Sequence, residues 1–433
     1  MKILRYNKKN FYNEFQKFNQ QRLNAISNDT KIQKKVKKIL ESVRKKGDKA
    51  LFNFCLKFDN SKINKKNILI SKKLIKNAKN EIDSNIFKSF KKAIKNVTEF
   101  HKRQIPKNFE IDKKGIITGS LWKPIESVGL YVPGGTASYP SSLIMNVVPA
   151  IVAGVKRIVV VTPSVNSYIN PYLLCLLDYL KIKEAYQIGG AQAIGALAYG
   201  TKTIKPVKKI IGPGNQYVSE AKKQVYGSVG IDLIAGPSEI VVVADKHNNP
   251  NWVAADLIAQ AEHDENAQSI LITDNLKFSK IVLQSIKKIT KTLTRRKIIE
   301  KSFQKNGAFI IVKNLLSAPE IINIIAPEHL HLQNKNRSKI FKKIQNAGGV
   351  FLGEYSSEAY GDYIVGTNHV LPTCGSAAFS SGLNVLDFMK RSSYVKLSKS
   401  GSNSLGKHVL KMSSIENLDG HKLSVKIRQS SKN

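Results

Sequence analysis

From about Pro124 onward, short apolar segments alternate with longer stretches of helical character, and this alternation restricts the chain to few folds. Short buried strands that alternate with helices are typical of β-α-β units, in which helices cover both faces of a parallel sheet. The sequence therefore predicts an α/β protein. The first series of strand segments covers residues 128–132, 158–162, 185–188, 209–211 and 239–244, and a second series covers 269–273, 308–312 and 348–352.

The regions outside this alternation are helical or too short to fold alone. Residues 30–57 carry apolar side chains at helical spacing around Gly47, and a lysine-rich amphipathic stretch covers 84–101. A chain of 433 residues exceeds one compact core. We predict an N-terminal helical region, two α/β domains and a C-terminal segment that docks onto something larger, with boundaries at 1–129, 130–236, 237–382 and 383–433.

The net charge of +39 raises the question of a nucleic-acid partner. Lysine pairs are spread over the predicted helix surfaces, without the interleaved aromatic residues that stack on bases. Between Gly230 and Leu271 the only basic residue is Lys246, so this segment is acidic. We therefore expect no nucleic-acid partner, and a compositional drift toward lysine accounts for the charge.

The cysteines and the hydropathy pattern indicate a soluble cytoplasmic protein. Cys55, Cys175 and Cys374 are odd in number and unclustered, which fits a reducing compartment and argues against a thiolate metal site. The longest apolar stretch, 142–155, is interrupted by Asn146 and Pro149 and is too short for a membrane span. We expect no membrane association.

Residues able to bind a metal occur at four places in a chain with only eight histidines. The Gln-x-x-His spacing of Gln260 and His263 predicts that both side chains share one face of a helix. Nitrogen and oxygen donors without thiolate suit zinc or a similar divalent ion at a catalytic site. The other three places are Glu328-His329, Asp362, and the tail residues Glu416 and His421.

Glycine turns follow three of the predicted strands, at 132–135, 188–192 and 211–215. A strand, a glycine turn and a helix N-terminus together offer backbone N–H groups to a phosphate. None of the three turns has the G-x-G-x-x-G pattern, and glycine also permits tight turns without any ligand. From these residues alone the two interpretations are equally supported.

Taken together, these segments resemble histidinol dehydrogenases over nearly the whole chain. The resemblance implies two incomplete Rossmann-like domains, with small N- and C-terminal additions that interlock a homodimer. It implies an enzyme that uses zinc and NAD to oxidise L-histidinol through L-histidinal to L-histidine, the last two steps of histidine biosynthesis. The matching strings include Tyr131-Val-Pro-Gly-Gly, Gly212-Pro-Gly-Asn, Ala235-Gly-Pro-Ser-Glu, Ala259-Gln-Ala-Glu-His, Pro327-Glu-His-Leu and Leu418-Asp-Gly-His.

The resemblance also assigns roles to single residues. The acid–base pair would be Glu328 and His329: His329 would remove the alcohol proton, and Glu328 would activate water for the aldehyde step. The zinc ion would serve mainly as a template for the substrate. The implied zinc ligands are Gln260, His263, Asp362 and His421; Ser238, His369 and Glu416 would also contact substrate; and Tyr131, Gln192 and Asn215 would line the NAD site.

Two other enzyme chemistries fit these residues less well. A zinc hydrolase could also use two metal ligands with Glu328-His329, but it has no use for three glycine turns. A covalent cysteine mechanism needs an activated thiol, whereas Cys55 and Cys175 lie in apolar helical contexts and Cys374 follows a turn.

Overall fold

The computed structural model describes residues 1–6, 10–27, 30–134 and 139–430. The chain divides into two compact units, and each unit consists of separate stretches of sequence. The first unit contains Met1–Gln104 and Glu126–Phe388, and the second contains Ile105–Ile125 and Met389–Asn433.

The strands are short, as the sequence predicts for parallel sheets. In chain order they are β1 (Lys2–Arg5), β2 (Phe109–Asp112), β3 (Ile116–Pro124), β4 (Ser127–Tyr131), β5 (Arg157–Val161), β6 (Glu184–Tyr186), β7 (Lys209–Ile211), β8 (Gly230–Ile231), β9 (Glu239–Val243), β10 (Gln268–Thr273), β11 (Ala308–Ile311), β12 (His329–Leu332), β13 (Gly349–Leu352) and β14 (Met389–Leu397).

Helices connect most of these strands, as β-α-β units require. They are α1 (Phe11–Ser27), α2 (Thr30–Lys46), α3 (Asp48–Asp59), α4 (Lys72–Ala78), α5 (Ser84–Lys102), α6 (Pro140–Val152), α7 (Pro171–Tyr179), α8 (Gly190–Tyr199), α9 (Gln216–Val225), α10 (Pro250–Ala261), α11 (Leu276–Thr290), α12 (Arg296–Asn306), α13 (Ala318–Ile325), α14 (Arg337–Phe341), α15 (Glu358–Tyr363), α16 (Lys399–Ile415) and α17 (Asp419–Ser430).

The first unit contains two parallel sheets with the same internal strand order. The first sheet has the order β6-β5-β4-β7-β8, and the second has the order β1-β11-β10-β9-β12-β13. If β4 is counted as strand 1 of the first sheet and β9 as strand 1 of the second, both sheets have the Rossmann order 3-2-1-4-5. The second sheet has one more strand, β1, which pairs with β11. The prediction of an α/β fold with two incomplete Rossmann-like sheets is confirmed.

Helices cover both faces of the second sheet. Every residue of β9 and β10 is buried, which explains their nearly continuous apolar sequences. Alternate residues of β9 enter different cores: Val241 packs with α13 on one face, and Val242 packs with α10 on the other.

The first sheet is covered on one face by α2, α8 and α9. The predicted apolar face of α2 is confirmed, because Val36, Leu40 and Val43 are buried and pack in the same core as Val159 of β5. Gly47 ends this helix before α3 begins, as the sequence predicts.

The second unit consists of an antiparallel sheet and two helices. The strand order is β14-β3-β2, and α16 packs against α17. Its strands were not predicted, because most of their side chains are exposed and their sequences lack a buried alternating face. Within the described part of the chain, no helix is long and apolar enough to cross a membrane.

Candidate active site

A cavity of about 730 Å³ in the first unit is lined by residues from both parallel sheets. Asn215, which follows β7, represents the carboxyl edge of the first sheet. Ser238, which precedes β9, and Glu328, which precedes β12, represent the amino edge of the second sheet. The cavity therefore brings together opposite edges of two similarly ordered sheets.

Glu328 and His329 stand at the start of β12 and are almost fully buried, with 6% and 4% of their surface exposed. A Glu328 oxygen lies 3.6 Å from His329 Nδ1 and accepts a hydrogen bond of 2.9 Å from the backbone N–H of Glu239. His329 Nδ1 lies 3.0 Å from the Glu239 carbonyl oxygen, an acceptor, so this nitrogen carries the hydrogen. Among the residues that the structure describes, the other ring nitrogen, Nε2, is buried and has no hydrogen-bond partner.

Burial and neighbouring charges shift the acid–base properties of this pair. Burial raises the pKa of Glu328, because the charged carboxylate loses its hydration. Burial alone would lower the pKa of His329, but the carboxylates of Glu328, Asp362 and Glu358 stabilise the imidazolium and raise it. Perturbed titration inside a cavity is typical of a catalytic pair.

Gln260 and His263 lie at the carboxyl-terminal end of α10, and both line the cavity. The prediction that they share a helix face was wrong, because α10 ends at Ala261 and His263 belongs to the turn that follows. The His263 backbone N–H donates to the Gln260 carbonyl oxygen at 3.2 Å, so the turn still holds the two residues together. Gln260 is 1% exposed, whereas His263 is exposed.

The helix α15 presents two carboxylates to this site from positions one turn apart. An oxygen of Asp362 lies 3.7 Å from His329 Nε2, and the histidine lowers the pKa of Asp362 against the opposing effect of burial. Glu358 is 1% exposed, and burial raises its pKa well above the ordinary value. The sequence indicated Asp362 but not Glu358.

His369 and Ser238 complete the wall of the cavity in the first unit. His369 Nδ1 lies 2.9 Å from the carbonyl oxygen of Asp362, and its Nε2 lies 3.3 Å from the hydroxyl of Ser142. The Ser238 carbonyl accepts a hydrogen bond from the Gln268 N–H at the start of β10, which fixes the backbone of Ser238 beside the pocket.

At the carboxyl edge of the first sheet, the glycine turn at 211–215 has a packing explanation. Gly212 has φ 114°, and a Cβ atom there would lie 2.3 Å from the carbonyl oxygen of Tyr131, so only glycine fits. Buried Lys222 pairs with Asp232, and both bind the backbone of Gly212. Gly135, in the first predicted turn, lies outside the described residues.

Among the predicted NAD contacts, only Asn215 lines the cavity. Its side chain caps α9 by accepting from the N–H groups of Tyr217 and Val218. The Tyr131 hydroxyl accepts a hydrogen bond from the Gly190 N–H, and burial raises the pKa of Tyr131 to about 12.

Gln192 and the two tail residues are not among the residues that line this cavity. Gln192 is 1% exposed, and its buried amide nitrogen has no hydrogen-bond partner in the described part of the chain. Glu416 and His421 belong to the second unit, where Glu416 caps the end of α16 and His421 lies in α17. Both are exposed.

His331, two residues after His329, has no role assigned from the sequence. His331 is fully buried; its Nδ1 lies 3.1 Å from Asp256 and its Nε2 lies 2.8 Å from the carbonyl oxygen of Gly353. The His331 ring thus binds α10 rather than the Glu328–His329 pair.

A second cavity, of about 1030 Å³, is also lined by His329 and Asp362, together with Phe351 and Tyr360.

The donor atoms around the cavity are oxygen and nitrogen. No three His, Cys, Asp or Glu side chains form a metal-sized cluster within the ranges that the structure describes. Gln260, His263 and Asp362 line one cavity and provide an amide oxygen, an imidazole nitrogen and a carboxylate. Such a set suits a zinc-type ion with further positions to fill.

Comparison with known proteins agrees with this architecture. The family model of histidinol dehydrogenase matches residues 23–429. The chain is 46% identical over 398 residues to the histidinol dehydrogenase of Brucella suis biovar 1, covering 92% of this chain and 93% of the relative. For that of Bacillus cereus the identity is 45% over 408 residues, covering 94% and 95%. The crystal structure of histidinol dehydrogenase from Elizabethkingia anophelis matches with a TM-score of 0.91 and 35% identity, covering 99% of this chain and 98% of that chain.

The strand order and these matches define the class of the protein as an α/β oxidoreductase. The chain belongs to the histidinol dehydrogenase family, which places it in histidine biosynthesis. The resemblance seen in the sequence is confirmed.

Proposed function

We propose that this protein oxidises L-histidinol through L-histidinal to L-histidine, with zinc as its metal and NAD as its electron acceptor. The observation that carries the proposal is the buried Glu328–His329 pair, 3.6 Å apart, in a cavity shared by the edges of two Rossmann-ordered sheets. Two adjacent acid–base groups suit two successive oxidations with different proton requirements.

The metal would be held by Gln260, His263 and Asp362 of one chain. The donor chemistry fits zinc, and the C-terminal end of α10, at Gln260, carries partial negative charge that favours a cation. When bound, zinc supplies a template that holds the imidazole and amine of histidinol in one pose. His369, Ser238 and Glu416 are proposed to orient the rest of the substrate.

The dinucleotide would bind at the carboxyl edge of the first sheet. Asn215 stands there at the N-terminus of α9, whose free N–H groups and partial positive charge suit a phosphate. NAD, when bound, accepts a hydride in each oxidation. The assignment of Tyr131 and Gln192 to this site stays a prediction.

The acid–base steps follow from the hydrogen bonds of the pair. His329 Nδ1–H donates to the Glu239 carbonyl, so Nε2 is the atom that takes the alcohol proton in the first oxidation, once it has released its own proton; its raised pKa then makes it a stronger base. In the second oxidation Glu328 removes a proton from the water that adds to the aldehyde carbon. Their burial excludes bulk water from both transfers.

We further propose a homodimer in which each site is completed by Glu416 and His421 of the second copy. The second unit carries these residues on exposed surface, beside an apolar set that includes Met412 and Ile415, with 63% and 82% exposure. Such surface is typical of an interface. We place the enzyme in the cytoplasm, a reducing compartment, since Cys55 and Cys175 are free thiols.

A spectrophotometric assay tests this function. Purified protein is mixed with L-histidinol and excess NAD, and the absorbance of reduced nicotinamide is followed to completion. We expect two equivalents of NADH for each histidinol, loss of activity with a chelator, and recovery with added zinc. Absence of NADH formation by zinc-loaded protein contradicts the proposal.

A further inference from the structure

Two buried hydrogen-bonded links connect α10 to α15. Asp256 Oδ1 accepts a hydrogen bond of 2.9 Å from the Ser357 hydroxyl. One turn later on α10, Gln260 faces Glu358, the residue that follows Ser357. Asp256, Gln260 and Glu358 are each at most 6% exposed, so neither link competes freely with water.

The neighbours of Gln260 fix which way its amide points. With its nitrogen toward Glu358, the amide donates to the two carboxylate oxygens at 3.1 and 3.3 Å. Its oxygen then accepts from the backbone N–H of Glu239 at 3.0 Å. The reverse orientation would place oxygen against carboxylate and nitrogen against N–H, leaving both ends without a bond.

This orientation decides which atom of Gln260 reaches the pocket. The Glu239 N–H also donates to Glu328, which lines the cavity together with Gln260. The amide oxygen is therefore on the side of Glu328, and the nitrogen, which cannot bind a metal ion, is turned toward Glu358.

We propose that Glu358 is a positioning residue that holds the Gln260 amide oxygen toward the metal position. The proposal rests on the proposed metal site. Glu358 itself need not touch the metal or the substrate. Both carboxyl oxygens of Glu358 lie within hydrogen-bonding distance of the Gln260 amide nitrogen, at 3.1 and 3.3 Å, so Glu358 holds the nitrogen end of the amide. Partners that orient a metal ligand typically contribute about 10- to 100-fold to metal affinity.

The test compares metal affinity in Glu358→Gln and Asp256→Asn. Affinity for Co²⁺ and Zn²⁺ is measured on the full-length protein by competition with a chromogenic chelator, and thermal unfolding of the metal-free proteins reports folding. Glu358→Gln presents either an oxygen or an NH₂ group to Gln260, so we expect a loss of about 10- to 100-fold in affinity. Asp256→Asn disturbs the neighbouring link without touching Gln260 and is expected to lose less than about threefold.

A second variant separates positioning from packing. In a Gln260→Glu background both side-chain termini are oxygen, so no orientation remains to be chosen. There, Glu358→Gln is expected to leave metal affinity unchanged or to raise it by removing carboxylate repulsion. If Glu358→Gln does not fold, Glu358→Asp, which withdraws the carboxylate by one methylene, replaces it and should also lose affinity.

The outcomes distinguish this proposal from the metal site on which it rests. If wild-type protein binds neither metal, the metal site and the positioning role both fall. If wild-type protein binds and Glu358→Gln binds equally well, or Asp256→Asn loses as much, only the positioning role is overturned. An equal loss from Glu358→Gln in both backgrounds also overturns it, because it would reflect packing alone.

Discussion

The two parallel sheets of the first unit share one strand order but present opposite edges to the same cavity. The first sheet contributes its carboxyl edge after β7, where doubly wound sheets ordinarily bind ligands. The second contributes its amino edge, at the starts of β9 and β12. Strand order therefore does not decide by itself which edge carries a site.

The ends of the flanking helices explain what each edge can bind. The α9 N-terminus lies at the cavity beside Asn215, and its N–H groups carry partial positive charge. The C-terminal end of α10 lies at the cavity at Gln260 and carries partial negative charge. One edge thus suits a phosphate and the other a cation, which is the division that the proposed binding of NAD and zinc requires.

The largest expected effect comes from removing a proposed zinc ligand. His263→Asn and His421→Asn homodimers should each lose about a thousandfold in activity, the several kcal/mol that a catalytic metal contributes. Co-expression of the two chains makes half the dimers mixed if pairing is random, so roughly a quarter of all sites should be intact if His421 comes from the second copy. His247→Asn, an exposed histidine after β9, is the control and should stay active.

The measurement is NADH formation by affinity-purified mixed dimers carrying two different tags. Recovery to roughly half the wild-type rate per mixed dimer supports the shared site. Activity that stays at the homodimer background in verified mixed dimers would show that all ligands come from one chain.

The next effect separates the two chemical steps at the amino edge. Glu328→Gln should reduce oxidation of supplied L-histidinal by roughly 100-fold, within the usual contribution of a general base, because only this step needs activated water. Oxidation of histidinol to the aldehyde should be largely retained, as single-turnover NADH formation would show. Normal histidine formation from histidinal by the mutant would rule out this role of Glu328.

A smaller effect is expected at the proposed phosphate-binding edge of the first sheet, where two similar helix N-caps can be compared. Asn215 caps α9 at the cavity, whereas Asn249 caps α10 at the opposite edge of the second sheet. Either change to alanine should cost about 1 kcal/mol of unfolding free energy, measured by chemical denaturation. Only Asn215→Ala should also raise the KM for NAD. We expect a rise of about tenfold, because the loss of one hydrogen bond to a ligand weakens binding by about that factor. Equal KM values for NAD in the two variants would show that the N-terminus of α9 does not bind the dinucleotide.

The smallest effect concerns charge at the carboxyl edge of the first sheet. Burial raises the pKa of Asp59, near Tyr131, to about 6, so its ionised form opposes folding. This penalty is absent below the unfolded pKa near 4 and complete above about 6. Asp59→Asn should therefore stabilise the protein at pH 8 by about 1 kcal/mol, a modest value because the side chain is partly exposed, and have little effect near pH 4. Urea unfolding at both pH values measures the difference, and stabilisation that is equal at both would refute the titration.

The sequence predicted most of the parallel strands because buried strands such as β5 and β9 are short apolar runs between turns. It missed β12, because His329 and His331 occupy alternate positions that would otherwise be apolar. It also placed His263 on the helix, since spacing alone does not mark the end of α10 at Ala261.

The sequence predicted site residues whose side chains are typical catalytic groups or metal ligands. It did not predict residues whose role depends on a neighbour in the folded protein. Glu328, Asp362 and Gln260 were indicated and share one cavity. Glu358 looks in sequence like an ordinary acid at the start of a helix, and its contact with Gln260 exists only because the fold brings the start of α15 beside the end of α10. Roles of this kind require tertiary structure.

The pairing of β1 with β11 has a consequence for biosynthesis on the ribosome. The ribosome makes Lys2–Arg5 about 300 residues before its partner Ala308–Ile311, a delay of roughly 15 to 60 s of translation. Until then β1 has no place in the second sheet, whereas β4 to β8 of the first sheet are complete much earlier. Lys2 and Arg5 give the waiting strand charge, which discourages pairing with other nascent chains.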